Sequence, residues 1–222
     1  MRIIKLNEQS RANILADLLK RDPNNYSAYE DTVQAIVDDV RARGDEALFE
    51  YTKKFDGAEL SADNIRVTQA EIQEALSQVD PNLLAVMKKS MKNIREYHEK
   101  QKQYSWFDSK PNGTILGQKV TALSSVGVYV PGGKAAYPSS VLMNIIPAEV
   151  AGVEKIVMVT PPGKDGKVNP VTLIAAHLAG ATEVYKVGGA QAIAALAFGT
   201  KSIPRVNKIV GPGNIFVALA KK

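Results

Sequence analysis

The chain contains no cysteine. That removes disulfides, thiolate nucleophiles and thiolate metal ligands together. Histidine is almost as scarce, with only His98 and His177, and two imidazoles that far apart without a thiolate make a poor metal site. Charges or prolines interrupt every apolar stretch before it could cross a bilayer. The charged opening, Met1-Arg-Ile-Ile-Lys-Leu-Asn-Glu8, does not read as a signal peptide. No Gly-x-Ser-x-Gly elbow supports a Ser-His-Asp nucleophile, and no Walker-type phosphate loop occurs. A cytoplasmic protein without membrane or nucleic-acid partners is the default reading.

What is present is ordinary in bulk and uneven in distribution. With 222 residues, 45% apolar and 23% charged, the chain fits one large or two small soluble domains. Residues 1–110 hold 17 Lys and Arg against 19 Asp and Glu, whereas residues 111–222 hold 11 against 4. Only 2 of the 16 glycines precede residue 110. The composition therefore breaks near Lys110-Pro-Asn-Gly113. The basic second half either favours an anionic ligand or is balanced by acidic sequence elsewhere.

The first half reads as helical. Val33, Ile36, Val37 and Val40 share one helical face, and Gly44 stands where a C-cap glycine would. Thr68-Gln-Ala-Glu71 has capping-box spacing ahead of Ile72, Ala75, Leu76 and Val79. Asp80-Pro81 starts a long amphipathic helix through Leu83, Leu84, Met87, Met91, Ile94 and His98. Tyr104-Ser-Trp-Phe107 reads as a docked helix end rather than a nucleic-acid surface. Nothing in this half proposes chemistry. Thr114 to Leu123 reads as one or two short strands, with Leu116-Gly-Gln-Lys119 as a turn.

The second half repeats one device four times: a short apolar strand runs into a glycine loop that opens an apolar helix. The four are Val126-Gly-Val-Tyr-Val-Pro-Gly-Gly133, Ile156-Val-Met-Val-Thr-Pro-Pro-Gly163, Val184-Tyr-Lys-Val-Gly-Gly-Ala190 and Lys208-Ile-Val-Gly-Pro-Gly-Asn214. This pattern predicts a parallel α/β sheet with its permissive loops on one edge, where such sheets bind ligands. The intervening helices run from Ser139 to Val150 (with Pro147 expected to bend or shorten it), from Asn169-Pro170 to Gly180, and from Gly189 to Gly199.

One glycine loop between strand and helix is ordinary turn material. Three on one edge, at Gly132-Gly133, Gly188-Gly189 and Gly211-Pro-Gly213, point to a cleft for a flat or anionic ligand. The usual dinucleotide fingerprint is absent. Phe216 stands where its third glycine would be, and no Asp or Glu ends the second strand, Val159-Thr-Pro-Pro162, to hold a ribose. Gln191 and Asn214 each lie just inside a helix after a glycine loop, where an amide can donate and accept. Tyr129 ends the first strand and either stacks on a ligand ring or packs. His98 and His177 read as packing residues on helices rather than ligands or bases.

The wording of these motifs, with Tyr137-Pro-Ser-Ser-Val-Leu-Met143 and Val187-Gly-Gly-Ala-Gln-Ala-Ile-Ala-Ala-Leu-Ala-Phe-Gly-Thr200, closely resembles the histidinol dehydrogenase family. Gly44-Asp-Glu-Ala-Leu48 and Tyr51-Thr-Lys-Lys-Phe-Asp56 in the first half resemble it too. The resemblance implies an α/β enzyme in which a helical N-terminal region, residues 1–125, belongs to a first large domain. Residues 126–222 then form an incomplete Rossmann-like NAD-binding domain. It also implies oxidation of L-histidinol to L-histidine through the aldehyde, with two hydride transfers to NAD, on a zinc-dependent cytoplasmic homodimer. By motif, Tyr129, Gln191 and Asn214 would contact NAD. In the family, the Gly-Pro-Ser-Glu substrate motif, the Glu-His acid/base pair and the zinc ligands follow the stretch that matches this chain. The expectation is therefore a truncated member with no catalytic or metal residue of its own, inactive alone and at best a weak NAD binder.

Overall fold

The computed structural model describes Lys5 and residues 7–19, 27–132 and 136–222. Gly133, part of the first glycine loop, lies outside them. Helices α1 (Glu8–Leu19), α2 (Ser27–Arg43), α3 (Asp45–Asp56), α4 (Gln69–Gln78) and α5 (Pro81–Glu99) build the first half. The stripe predicted on α2 is real: Val33, Ile36 and Val40 are buried and Val37 half-buried. Gly44 ends α2 with its N–H on the Val40 carbonyl at 2.8 Å and leads straight into α3. The capping box closes at α4, where Thr68 Oγ1 accepts from the Glu71 N–H and Glu71 accepts from the Thr68 N–H. Asp80 accepts from the Asn82 N–H, with Pro81 in the first turn of α5. Each such cap contributes about 1 kcal/mol to its helix.

Two expectations fail in the segment that follows. Strands β1 (Trp106–Ser109) and β2 (Ile115–Gln118) form an antiparallel hairpin. The turn lies at 110–113, where the Gly113 N–H meets the Lys110 carbonyl at 3.0 Å. Leu116-Gly-Gln-Lys119 is thus mostly strand and not a turn. Nor is Tyr104–Phe107 a docked helix end: α5 stops at Glu99, and Trp106 and Phe107 open β1 at 56% and 64% exposure.

The rest is the parallel sheet read from the sequence. Its units are β3 (Ser125–Tyr129), α6 (Pro138–Val150), β4 (Lys155–Thr160), α7 (Pro170–Ala179), β5 (Glu183–Lys186), α8 (Gly189–Phe198), β6 (Lys208–Val210) and α9 (Ile215–Ala220). The strand order is β5-β4-β3-β6, all parallel. Pro147 does not shorten α6, which runs through it to Val150. The carbonyl deprived of its donor belongs to Met143, an exposed residue, so water can satisfy it.

Side chains alternate across the sheet with period two. Val126, Val128, Ile156 and Met158 face one core with α6 and α7. Tyr129, Val157, Val159 and Tyr185 face the other with α8. Helices from the first half complete both layers: α4 packs on α7, α5 on α6, and α2 on α8 and α9. Residues 65–67 close the outer edge of β5, with Val67 N–H on the Val184 carbonyl and Lys186 N–H on the Ile65 carbonyl, both at 2.9 Å. That caps an edge which would otherwise invite pairing. The chain moves outward from β3 to β4 and β5, then returns to place β6 on the other side of β3. The strand order therefore reverses between β3 and β6, the position where open α/β sheets form their ligand crevice.

Candidate functional site

A cleft of ≈ 820 Å³ opens at that crevice, over the carboxyl ends of the strands. All four strand-end loops reach it, through Pro131 and Gly132, Pro161 to Gly163, Gly189, and Asn214. Its opposite wall comes from the first half of the chain: Thr32 and Ile36 on α2, Phe55 and Asp56 on α3. The reading that the first half proposes no chemistry is therefore corrected. Its helices fold over the sheet edge and supply one side of the cavity.

The three residues singled out in the sequence meet in this cleft. Tyr129 is 3% exposed, and its hydroxyl oxygen accepts from the Gly189 N–H at 3.2 Å. Burial raises the phenol pKa; the Gly189 N–H opposes this, and the nearby Asp56 charge adds to it. Tyr129 thus remains a neutral phenol with its own O–H free to donate. Gln191 is 1% exposed, yet neither its Oε1 nor its Nε2 has a hydrogen-bond partner. Asn214 is exposed and caps α9, its Oδ1 accepting from the Val217 N–H at 3.1 Å. That leaves its amide nitrogen to offer.

Two glycines are indispensable to this geometry. Gly189 adopts φ +67°, and a Cβ there would lie 2.4 Å from Gln191 Oε1. Gly211 adopts φ +103°, and a Cβ there would lie 2.0 Å from the Tyr129 carbonyl oxygen. Both combine a left-handed backbone with close approach, and only glycine meets both demands.

Asp56 was not singled out in the sequence. It ends α3, and its Oδ2 is buried without a partner. Burial pushes its carboxyl up to about 6. One signal could have found it: an acid in the last turn of a helix, after Lys53 and Lys54, opposes the helix dipole. Among the described residues, the only buried side-chain atoms lacking a partner are Asp56 Oδ2 and the two amide atoms of Gln191. Each such atom costs free energy that a ligand can recover. All three belong to residues that line one cleft, and they fit the polar groups of a dinucleotide.

Other hollows lack that property. A cavity of ≈ 310 Å³ beside α4 and α7 has no unpartnered buried side-chain atom among the described residues, and its Lys167 is paired with Glu74 at 2.6 Å. His98 lies at the far end of α5, bonded through Nδ1 to Gln101 Oε1 at 2.7 Å, and His177 is exposed on α7. Neither histidine reaches the cleft. Among the described residues, no group of three or more His, Asp or Glu could hold a metal ion. They do not fit zinc. No described helix is long and apolar enough to cross a membrane.

Comparison with known proteins identifies the family. The family model described as histidinol dehydrogenase matches residues 19–222. Histidinol dehydrogenase of Bacillus subtilis (strain 168) is 61% identical over 191 residues, 86% of this chain and 44% of the relative. That of Clostridium acetobutylicum is 53% identical over 222 residues, covering 100% of this chain and 51% of the relative. The crystal structure of histidinol dehydrogenase from Elizabethkingia anophelis superposes with a TM-score of 0.82 at 38% identity, over 87% of this chain and 44% of that one. The chain spans about half the length of the curated relatives it matches.

Proposed function

The chain belongs to the histidinol dehydrogenase family, and from that premise we propose that these residues supply the NAD-binding part of an enzyme oxidising L-histidinol to L-histidine. NAD supplies the hydride acceptor when bound. The observation that carries the reading is the convergence of the unpartnered Gln191 amide, the Tyr129 hydroxyl and Asn214 in one cleft at the strand-order reversal. Gln191, buried and without a protein partner, is built to donate and accept toward a ligand. Tyr129 donates its O–H while holding the Gly189 N–H, and Asn214 offers its amide nitrogen from the opposite loop. The first turn of α8, Gly189 to Gln191, lines the same cleft, and the start of a helix favours an anionic group such as a pyrophosphate.

The remaining parts of the proposal follow the family. Residues 1–125 belong to a first large domain and residues 126–222 to the Rossmann-like one. The working enzyme is a cytoplasmic, zinc-dependent homodimer. Its acid/base pair, zinc ligands and primary substrate contacts lie outside these 222 residues. We therefore expect NAD binding without turnover from this chain alone. Measuring histidinol-dependent NADH formation with added zinc tests it: turnover by the 222-residue chain would sink that part. Calorimetric titration showing no affinity for NAD would sink the cofactor assignment.

A second reading, a non-catalytic module that binds a nucleotide or a partner chain, draws on one observation. Trp106, Phe107, Ile115 and Leu116 of the hairpin are all more than half exposed, an unusual apolar display. Light scattering with calorimetric NAD titration distinguishes the two: a monomer that ignores NAD and binds another ligand favours the module.

A further inference from the structure

We infer that Asp56 makes the cleft select a dinucleotide whose ribose hydroxyls are free and reject one carrying a phosphate on that ribose. This rests on the cleft being the NAD site and names the residue that sets its specificity.

In the common dinucleotide fold, an acid near the end of the second strand accepts from the ribose hydroxyls. Here β4, the second strand of the sheet in chain order, ends in Thr160-Pro-Pro162, which has no carboxylate to offer. The acid comes instead from outside the sheet. Asp56 reaches the cleft from the last turn of α3, and its Oδ2 is buried with no hydrogen-bond partner. No basic group stabilises its charge; burial alone perturbs it. Lys164 also lines the cleft, but it is exposed and makes no ion pair with Asp56. Its side chain runs outside Gly57, where an added Cβ would sit 3.7 Å from Lys164 Cγ.

A half-buried carboxylate without a counter-ion is an acceptor waiting for O–H donors. A ribose diol provides two, whereas a phosphate ester on one of them removes that donor and brings a second anion beside the carboxylate. A site built to bond a hydroxyl discriminates strongly against a ligand that cannot supply it, because the buried acceptor is then left unpaired. Like charge adds to the rejection.

Isothermal titration of the 222-residue chain with NAD and with NADP tests the inference. Wild type should prefer NAD by about tenfold or more. Asp56→Asn keeps the shape and removes the charge, so it should bring the two affinities within about threefold. Asp56→Ser should do the same, and thermal unfolding of both variants checks that they fold. A preference for NAD that survives both substitutions, or a wild type that binds the two equally, overturns the inference and leaves the NAD site standing. Binding of neither by wild type overturns both.

Discussion

The Tyr129 hydroxyl oxygen, at the end of one strand, accepts from the Gly189 N–H at the start of a helix, 60 residues later and 3.2 Å away. The bond ties the first and third glycine loops together under the cleft. Tyr129→Phe leaves that half-buried N–H without its partner, at a cost of about 1 kcal/mol. Urea unfolding should show a lower midpoint with an unchanged slope. NAD affinity should also fall, since the phenol O–H is one of the proposed contacts. Loss of stability with full NAD affinity would make Tyr129 purely structural.

Gly189→Ala combines two penalties. The left-handed backbone costs an alanine about 1–2 kcal/mol. The new methyl also meets Gln191 Oε1, so the amide must rotate away. The expected result is lower stability together with loss of NAD binding. A variant that binds NAD normally would show that the Gln191 orientation does not matter to the ligand.

Asp56 gives a pH signature independent of any ligand. Its carboxyl is raised from 3.8 to about 6 by burial, so between those values the folded state holds a proton the unfolded state has lost. Stability is therefore lost as pH rises from about 4 through about 6. Because the group is only half-buried, solvent screening limits the effect to about 1 kcal/mol. Urea midpoints from pH 4 to 7 should show Asp56→Asn gaining on wild type as pH rises. A constant difference across that range would contradict the unpaired, desolvated state.

Much of this was legible in the sequence, and the reason is local. Each parallel strand is a short apolar run, and each loop needs glycine for its own backbone, so neighbouring residues mark Tyr129, Gln191 and Asn214. The hairpin was misread because both its faces are exposed, leaving no alternation to fix the turn, and Gly117 looked like turn material inside β2. Asp56 was invisible for a different reason. Its role depends on α3 crossing over the sheet edge, a tertiary relation between residues far apart in the chain. Only its awkward place at a helix C-terminus betrayed it.

The ion pair between Lys186 and Glu71 should prove asymmetric. Lys186 ends β5 with its side chain 5% exposed, and its Nζ lies 2.7 Å from Glu71 Oε1, whose side chain is 21% exposed. Burial pushes the Glu71 carboxyl up, but Lys186 and the Thr68 cap outweigh it and hold it below the usual range. That stabilisation is present above the usual carboxylate range and lost as pH falls through the lowered value. Glu71→Gln leaves an ammonium buried without its counter-ion, which costs about 3 kcal/mol or more. In Lys186→Met the carboxylate keeps its bonds to Thr68 and can turn toward water, so the loss should be smaller. Unfolding of both variants at pH 7 checks the order, and a larger loss for Lys186→Met would show that the lysine stem, not the charge, holds α4 to the sheet.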